Sequence, residues 1–221
     1  MALVLILGAS RGIGRALVEA YVGQGHRVIA TVRKAEDKAT VQALGAEVLL
    51  VDVANPASVS GLAWTLEGEE IDLAVYVAGV WDAGSAATPP QQPQFDNVMH
   101  TNVLGAMQVI PQVAPLVSEA RGVFAFLSSE MSLISDAQAS NWLYRTSKAA
   151  LNMAVACAAQ QWPDARLVLL DPGWVQTDMG GSGAPLTLAD CVANVQETLA
   201  SITEADRGKM VRHDGLRLQR W

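Results

Sequence analysis

Tyr144 and Lys148 stand four residues apart in a segment whose pattern predicts a helix, so both side chains lie on one face. An ammonium fixed beside a phenol favours the phenolate, and we therefore expect the tyrosine pKa to fall below its ordinary value. Such a phenol gives a proton to a carbonyl oxygen as hydride reaches the carbon, or takes it back in reverse. Ordinary helices also carry this spacing, with a solvated lysine and a packed tyrosine, so the pair needs support from the rest of the chain.

A second candidate site is the glycine-rich turn after the first apolar run. Gly8, Gly12 and Gly14 stand between residues 2–7, which predict a buried strand, and a helical pattern. Free N–H groups and the dipole of a helix N-terminus bind phosphate, and glycines allow a close approach. A glycine turn is also found as a plain structural turn. As the first strand-to-helix turn of an alternating chain, it indicates a dinucleotide site.

The elements that must position these residues alternate along the chain. We predict strands at residues 2–7, 27–32, 47–51, 71–77, 122–128, 166–170 and 208–213, and helices after the glycine turn, over 55–66, from about 95 past 102, around 144 and over 188–202. Pro111 and Pro115 are expected to kink the long central helix or to end it early. Alternation of this kind predicts α/β architecture, a Rossmann-type doubly wound parallel sheet of about seven strands flanked by helices. We expect residues 1–221 to form a single domain.

Composition argues against several function classes. The 221 residues are 51 % hydrophobic and carry a net charge of −7, which disfavours nucleic-acid binding. No apolar run approaches the ~20 residues that span a bilayer, and the apolar start is too short for a signal peptide. We expect a soluble, cytoplasmic protein with no membrane partner. Cys157 and Cys191 have no metal or redox spacing, so we expect buried, inert thiols and no metal site.

Several further motifs follow one another in the order of a known family, and over nearly its whole length the chain resembles the short-chain dehydrogenase/reductases. The matching positions are the glycine turn, Asp52 with Val53, Ala78 with Gly79, Asn102, Ser129, the Tyr144 and Lys148 pair, and Pro172 with Gly173 through Thr177. Residues 144–152, 171–181 and 214–221 resemble most the C-factor and sniffer-type carbonyl reductases.

The resemblance implies a role for each matched residue. Tyr144 is the general acid and base, Lys148 lowers its pKa and reaches the nicotinamide ribose, and Ser129 donates a hydrogen bond to the substrate carbonyl. Asn102, at a disturbed point of its helix, holds a water that extends a proton path from Lys148. Asp52 contacts adenine, and Thr177 with the Val175 backbone holds the carboxamide. Together with the arginines considered below, the predicted cofactor-binding residues are Gly8, Ser10, Arg11, Ile13, Gly14, Arg33, Asp52, Val53, Ala78, Gly79, Tyr144, Lys148, Pro172, Gly173, Val175 and Thr177.

Alternatives stand beside these roles. Ser132 competes with Ser129, because the interval from Ser129 to Tyr144 is about two residues longer than usual. We prefer Ser129, which ends a predicted strand at the carboxyl edge of the sheet. Asn102 is alternatively a helix residue bonded to its own backbone, Ser129 a plain strand-end hydroxyl, and Asp52 or Thr177 a cap of the following turn.

Two departures from the family pattern bear on rigidity. Leu7 replaces a threonine, and Tyr76 with Val77 replaces two asparagines. A polar link between neighbouring strands is therefore missing or remade.

The cofactor choice depends on the end of the second strand. NAD sites place an acid there for the ribose hydroxyl, but here no acid occurs before Glu36. Arg33 and Arg11 can clamp a 2′-phosphate in the bidentate manner of guanidinium groups, although both can also be solvated surface arginines. We predict NADP(H).

We therefore predict an NADPH-dependent carbonyl reductase whose partner is a small-molecule aldehyde, ketone or alcohol. The alternative is a dinucleotide-binding, C-factor-like signalling or regulatory protein with incidental turnover. An apolar, aromatic pocket is indicated by the residues that flank the motifs, Trp81, Met131, Trp142, Trp174 and Met179. The helices around Asn102 and Tyr144 are apolar around their circumference, which predicts a homodimer. A monomer with well-covered helices is the alternative.

Overall fold

A computed structural model describes residues 1–219, and its centre is one parallel sheet of seven strands. The strands are β1 Leu3–Leu7, β2 Arg27–Val32, β3 Glu47–Leu50, β4 Leu73–Tyr76, β5 Val123–Leu127, β6 Arg166–Asp171 and β7 Met210–Arg212. Their order is β3-β2-β1-β4-β5-β6-β7, and all six pairings are parallel. The order reverses between β1 and β4, which is the crevice where doubly wound sheets bind ligands. The predicted fold class is confirmed.

Helices cover both faces of this sheet. They are α1 Gly12–Gly23, α2 Ala35–Gln42, α3 Pro56–Val59, α4 Leu62–Thr65, α5 Gln92–Met99, α6 Gly105–Glu119, α7 Trp142–Gln161 and α8 Leu188–Ala200, with a π-helical turn at His100–Leu104 between α5 and α6. Leu5 points into the cluster under α6 and α7, while Ile6 points into the cluster under α1 and α8. Burial on both faces explains why the strands read as continuous apolar runs.

The long central helix differs from its prediction. It continues through Pro111 and Pro115 to Glu119, so the expected early end is wrong. Both prolines lie on the solvent side, where the carbonyls that lose a helical partner remain hydrated. The opposite side buries Val113 and Val117 completely, and that burial offsets the cost of the prolines.

Three smaller differences concern elements and thiols. The helix predicted over 55–66 is two short helices, because the chain breaks at Gly61. Helix α2 has no clear sequence signal, since Val41 is its only fully buried residue. Cys191 is buried as expected, but Cys157 is exposed, so the prediction of a buried thiol there is wrong.

Among residues 1–219, no helix has both the length and the apolar character needed to cross a membrane. The predicted resemblance of residues 214–221 to sniffer-type proteins includes Arg220 and Trp221, which lie outside the described residues.

Candidate active site

A cleft of about 480 Å³ opens at the carboxyl ends of β1, β2, β4, β5 and β6. Most of the predicted site residues line it: Gly8, Ser10, Arg11, Gly12, Ile13, Arg33, Asp52, Val53, Ala78, Gly79, Tyr144, Lys148, Pro172 and Thr177. Of the residues predicted to form the apolar pocket, Met179 also lines the cleft, and so does Val77. The remaining lining residues were not named from the sequence: Thr31, Val32, Lys34, Asp37, Val51, Val80, Thr101, Leu127, Ser128 and Asp178. Gly14, Asn102, Ser129, Gly173 and Val175 support this wall without lining it.

The glycine turn fits an anion at the start of α1. Gly8 has φ +98°, and a Cβ there would stand 2.7 Å from the Ala78 nitrogen. At Gly14 a Cβ would stand 2.1 Å from the Gly8 oxygen, so α1 packs directly on the turn. Arg11, the residue before the helix, provides no side-chain cap. The first N–H groups of α1 are therefore available to a phosphate of a dinucleotide.

Lys148 is buried and anchored at the end of β5. Its Nζ donates to the Leu127 oxygen at 2.7 Å and lies 5.7 Å from the centre of the Tyr144 ring. Burial disfavours the ammonium and lowers the pKa of Lys148 to about 8.

Tyr144 titrates in the opposite direction to the one expected from its spacing to Lys148. Burial raises the pKa of Tyr144 to about 12, the Asp171 carboxylate acts in the same direction, and a hydrogen bond with the Ser129 side chain opposes both. The expected fall in pKa is wrong, because desolvation of the phenolate outweighs the nearby ammonium. At neutral pH the phenol is therefore protonated, which is the form that can donate a proton.

The two candidate serines have different surroundings. Ser129 accepts from the Met131 N–H at 3.1 Å and its side chain reaches Tyr144. Ser132 is buried, donates to the Ser129 oxygen at 2.6 Å and accepts from Asn152 Nδ2 at 2.8 Å. The geometry thus brings Ser129 to the phenol and uses Ser132 to hold the turn behind it.

Asn152 is a buried residue that the sequence analysis did not assign to the site. Its Oδ1 accepts from Ser128 Oγ at 2.6 Å, and its Nδ2 donates to Ser132 Oγ. These bonds fix both sides of Ser129 to helix α7. The available signal was its position, four residues after Lys148 on the same helix face.

Asn102 lies in the π-helical turn and is fully buried. Its Nδ2 donates to the Val80 oxygen and to Ser147 Oγ, each at 2.9 Å, and its Oδ1 accepts from the Val80 N–H at 2.8 Å. The side chain therefore ties the turn to the segment after β4 and to α7. A side chain bonded to its own backbone, the plain alternative, is excluded. The expected disturbance of the helix is present at this residue.

Tyr76 remakes the polar link that the family's asparagines would provide. Its hydroxyl donates to the Thr101 oxygen at 2.9 Å, inside the π-helical turn. The tyrosine is buried at the end of β4, so this bond joins the sheet to the residue before Asn102. Thr31 Oγ1 makes another such link by accepting from the Gly8 N–H at 3.0 Å.

The predicted adenine and carboxamide residues also hold their own turns. Asp52 Oδ1 accepts from the Ala54 N–H at 3.0 Å, and Thr177 Oγ1 accepts from the Gly180 N–H at 3.1 Å. Both remain on the cleft wall. Capping and cofactor contact are thus compatible at these two positions.

The two arginines proposed as a clamp are arranged differently from each other. Arg33 is exposed beside Lys34 and makes no salt bridge within residues 1–219. Arg11 instead forms a salt bridge with Asp178 at 2.9 Å, across the mouth of the cleft. Arg33 is therefore the better placed of the two for a 2′-phosphate.

Trp81 packs on Tyr144, and a second exposed tryptophan, Trp174, follows the end of β6. The Trp81 ring is 4.6 Å from the Tyr144 ring, centre to centre, and tilted by 49°. Trp174 is 57 % exposed and is held by a hydrogen bond from its Nε1 to the Gly180 oxygen at 2.8 Å.

Within residues 1–219, His, Cys, Asp and Glu form no group able to hold a metal ion.

Comparison with known proteins identifies the family. The sequence model described as short chain dehydrogenase matches residues 2–185. The chain belongs to the short-chain dehydrogenase family. It is 32 % identical to C-signal of Myxococcus xanthus over 149 residues, which are 66 % of this chain and 90 % of that protein.

Two solved structures of carbonyl reductases share the whole fold. The carbonyl reductase Sniffer of D. melanogaster superposes with a TM-score of 0.91 at 26 % identity, and both chains are covered completely. A carbonyl reductase from Pseudomonas aeruginosa PAO1 in complex with NADP gives a TM-score of 0.84 at 29 % identity, again over the full length of both chains.

Proposed function

We propose that this short-chain dehydrogenase is an NADPH-dependent reductase of aldehydes or ketones. The observation that carries the proposal is the buried, protonated Tyr144 on the wall of a dinucleotide-type cleft, with Lys148 and Ser129 beside it. The similarity to a carbonyl reductase in complex with NADP supports the same cofactor here.

In the proposed reaction, NADPH would supply the hydride that reaches the carbonyl carbon, leaving NADP⁺. Tyr144 gives its proton to the carbonyl oxygen, and Ser129 donates a hydrogen bond to that oxygen while negative charge grows there. Lys148 stabilises the phenolate that remains and would hold the ribose hydroxyls of the cofactor. Asn102 acts through Val80 and Ser147, keeping the floor of the site rigid.

In this proposal, different residues of the cleft bind different parts of the cofactor. The α1 N-terminus with Ser10 and Ile13 would hold the pyrophosphate, Asp52 and Val53 would border the adenine, and Arg33 would bind the 2′-phosphate. The remaining contacts to the nicotinamide half come from Ala78, Gly79, Pro172, Gly173, Val175 and Thr177. The exposed Trp81 and Trp174 offer an aromatic wall to an apolar substrate.

The test is NADPH consumption with a panel of apolar aldehydes and ketones. Tyr144→Phe is expected to lose at least about 100-fold in turnover, because it removes the proton donor. Tyr21→Phe is the matched control, since it removes another buried phenol hydroxyl far from the cleft. A Tyr144→Phe protein that kept most of its turnover would refute the assignment.

A second candidate function is dinucleotide-dependent signalling with incidental turnover, supported by the similarity to C-signal. In that case Tyr144→Phe, still binding NADPH, restores the phenotype of a deletion strain. Failure of this variant to restore the phenotype, together with loss of turnover, favours the reductase.

A further inference from the structure

Arg145 follows Tyr144 on α7 and is a half-buried cation that the proposed reaction does not use. Within residues 1–219 its guanidinium takes part in no salt bridge. It donates instead to three backbone carbonyls: Nε to the Ser140 oxygen at 3.0 Å, and Nη1 to the Met131 and Asp136 oxygens at 3.4 Å each. A planar guanidinium can serve several acceptors at once, and its charge strengthens such bonds. The contacts of this side chain therefore join α7 to both ends of the segment that precedes it.

One of these contacts reaches the turn that carries Ser129. Met131 donates its N–H to Ser129 Oγ at 3.1 Å, and its carbonyl accepts from Arg145. The Ser129 side chain in turn forms a hydrogen bond with Tyr144. Since the Ser129 hydroxyl is bonded to a residue that Arg145 holds, its position beside the phenol depends on the guanidinium.

Another contact links Arg145 to the loop after β4. Residues 139–141, which include the carbonyl that accepts from Nε, pair with residues 84–86 in an antiparallel bridge with hydrogen bonds of 2.6 and 2.9 Å. The same loop carries Trp81, whose ring lies 4.6 Å from the Tyr144 ring, centre to centre. Trp81 is thus held against the phenol by a loop whose pairing segment is bonded to the guanidinium.

The cofactor side of the site does not share these contacts. Among residues 1–219, those that line the cleft include Tyr144 and Lys148 but neither Arg145 nor any of its three acceptors. Lys148 is held separately, by the Leu127 oxygen. Loss of the guanidinium should therefore loosen the two segments described above and leave the cleft unchanged.

We propose that Arg145 is a positioning residue for the carbonyl substrate, because it fixes the turn of Ser129 and the loop of Trp81 around Tyr144. This inference rests on the proposed function. A hydroxyl held in place stabilises the negative charge that grows on the carbonyl oxygen without first having to reorient, which raises kcat. An indole held in place gives an apolar substrate a fixed surface to pack on, which lowers KM. Neither effect acts on the dinucleotide.

Two substitutions of Arg145 separate the guanidinium from its stem. Arg145→Met keeps an unbranched apolar stem but removes every N–H donor. Arg145→Lys keeps the charge, but its single nitrogen cannot reproduce the fork, so it should rescue only in part. Arg207→Met is the matched control, since Arg207 also donates to a backbone carbonyl, that of Pro163, beyond the opposite end of α7 from Tyr144. Thermal melting of each variant verifies that it is folded.

Amide hydrogen exchange gives a readout that does not depend on turnover. The N–H groups of Met131, Ala86 and Asn141 belong to the segments that Arg145 holds. We expect each to exchange about 10-fold faster in Arg145→Met than in the wild type, with a smaller increase in Arg145→Lys and none in Arg207→Met. Unchanged exchange at all three positions in a folded Arg145→Met protein overturns the proposal.

Steady-state kinetics and cofactor binding complete the test. With apolar aldehydes and ketones, kcat/KM should fall about 10-fold in Arg145→Met, through both a lower kcat and a higher KM, and less in Arg145→Lys. Fluorescence titration should show an unchanged NADPH affinity in both variants. An equal loss of NADPH affinity would indicate general structural damage, and an unchanged kcat/KM would show that Arg145 does not position the substrate. Either result overturns the proposal.

Failure of the proposed function has a different signature. In that case the wild type itself turns over no carbonyl compound, and faster exchange in Arg145→Met then demonstrates only that Arg145 holds the two segments.

Discussion

Burial acts on Tyr144 and Lys148 in opposite directions, because the charged form is the deprotonated one in the phenol and the protonated one in the amine. The pKa of Tyr144 rises to about 12 and that of Lys148 falls to about 8. Both groups therefore shift toward their neutral forms. As a result, the phenol of Tyr144 keeps its proton at neutral pH. The shifted pKa of Lys148 makes the free energy of unfolding depend on pH.

Lys148 gives the folded protein a pH-dependent stability whose sign follows from linkage. Unfolding returns its pKa to 10.5, so between about pH 8 and 10.5 the unfolded chain binds a proton that the folded chain has lost. Stability from this group therefore rises with pH in that window. From about pH 7 to about pH 9.5, the free energy of unfolding of the wild type should rise by about 2 kcal/mol relative to Lys148→Met.

Urea unfolding at the two pH values measures this difference. Lys209→Met is the control, because Lys209 is exposed and its removal should leave the pH dependence of stability as in the wild type. Parallel stability curves for the wild type and Lys148→Met would show that the buried amine is not desolvated.

Arg33 should determine the preference for NADPH at the residue scale. Loss of one charge-assisted contact to the 2′-phosphate costs about 1.5–3 kcal/mol. Arg33→Ala should therefore weaken NADPH binding by about 10- to 100-fold and leave NADH binding nearly unchanged, measured by fluorescence titration of both cofactors. Arg11→Ala is the comparison, with a smaller expected effect because Arg11 already pairs with Asp178. Equal losses for both cofactors in Arg33→Ala would refute the contact.

At the scale of elements, the site depends on how α5, α6 and α7 attach to the sheet. The π-helical turn at His100–Leu104 is fixed by Tyr76 from β4 and by Asn102 to Val80. Helix α7 is fixed to the end of β5 through Lys148 and Asn152. Buried hydrogen bonds thus join three separate segments around Tyr144, and buried polar networks of this kind make a structure unique.

Tyr76→Phe tests the attachment of the π-helical turn. The variant leaves the Thr101 oxygen without its donor in a buried place, which should cost about 1–3 kcal/mol in the free energy of unfolding. Since Thr101 precedes Asn102, we also expect a lower kcat with a smaller change in NADPH affinity. Urea unfolding and steady-state kinetics measure the two effects. Tyr21→Phe serves again as control, and a Tyr76→Phe protein of unchanged stability and kcat would contradict this role.

At the scale of the whole molecule, two hydrophobic clusters share the same seven strands. This sharing supports our proposal that residues 1–221 form one domain.

Outside the clusters, an apolar face is exposed on the helices that carry the site. Leu104 lies in the π-helical turn, Met107 on α6 and Met153 on α7, with exposed fractions of 37 %, 53 % and 64 %.

We propose that this apolar face is the contact of a homodimer with two-fold symmetry. Sedimentation at micromolar concentration should give a mass near twice the 23.4 kDa of the chain. Met153→Glu should shift the protein to monomers, because it places a charge in the contact. Trp64→Glu is the control, since Trp64 is a large apolar side chain, 85 % exposed on α4, that is not one of those three residues. A wild type that sediments as a single chain would refute the dimer.

The sequence by itself determined the order of the strands, most of the helices, the glycine turn and the family. These features are local: apolar runs of strand length, glycines at fixed offsets and motifs in chain order are visible without knowing what packs where. The site residues on the cleft wall were named from the same motifs: most lie in turns after strands, and Tyr144 and Lys148 share one face of a helix. Helix α2 was not predicted, because an exposed helix with one buried residue shows no periodic pattern of apolar residues.

Only the tertiary structure decided how those residues behave. Arg11 meets Asp178 from 167 positions away, Tyr76 reaches the turn beside Asn102, and Ser132 turns toward Asn152 rather than Tyr144. The direction of the Tyr144 pKa shift was likewise decided only by the tertiary structure. Desolvation and partner choice depend on which distant segments enclose a group, and neighbours in the sequence do not specify that enclosure.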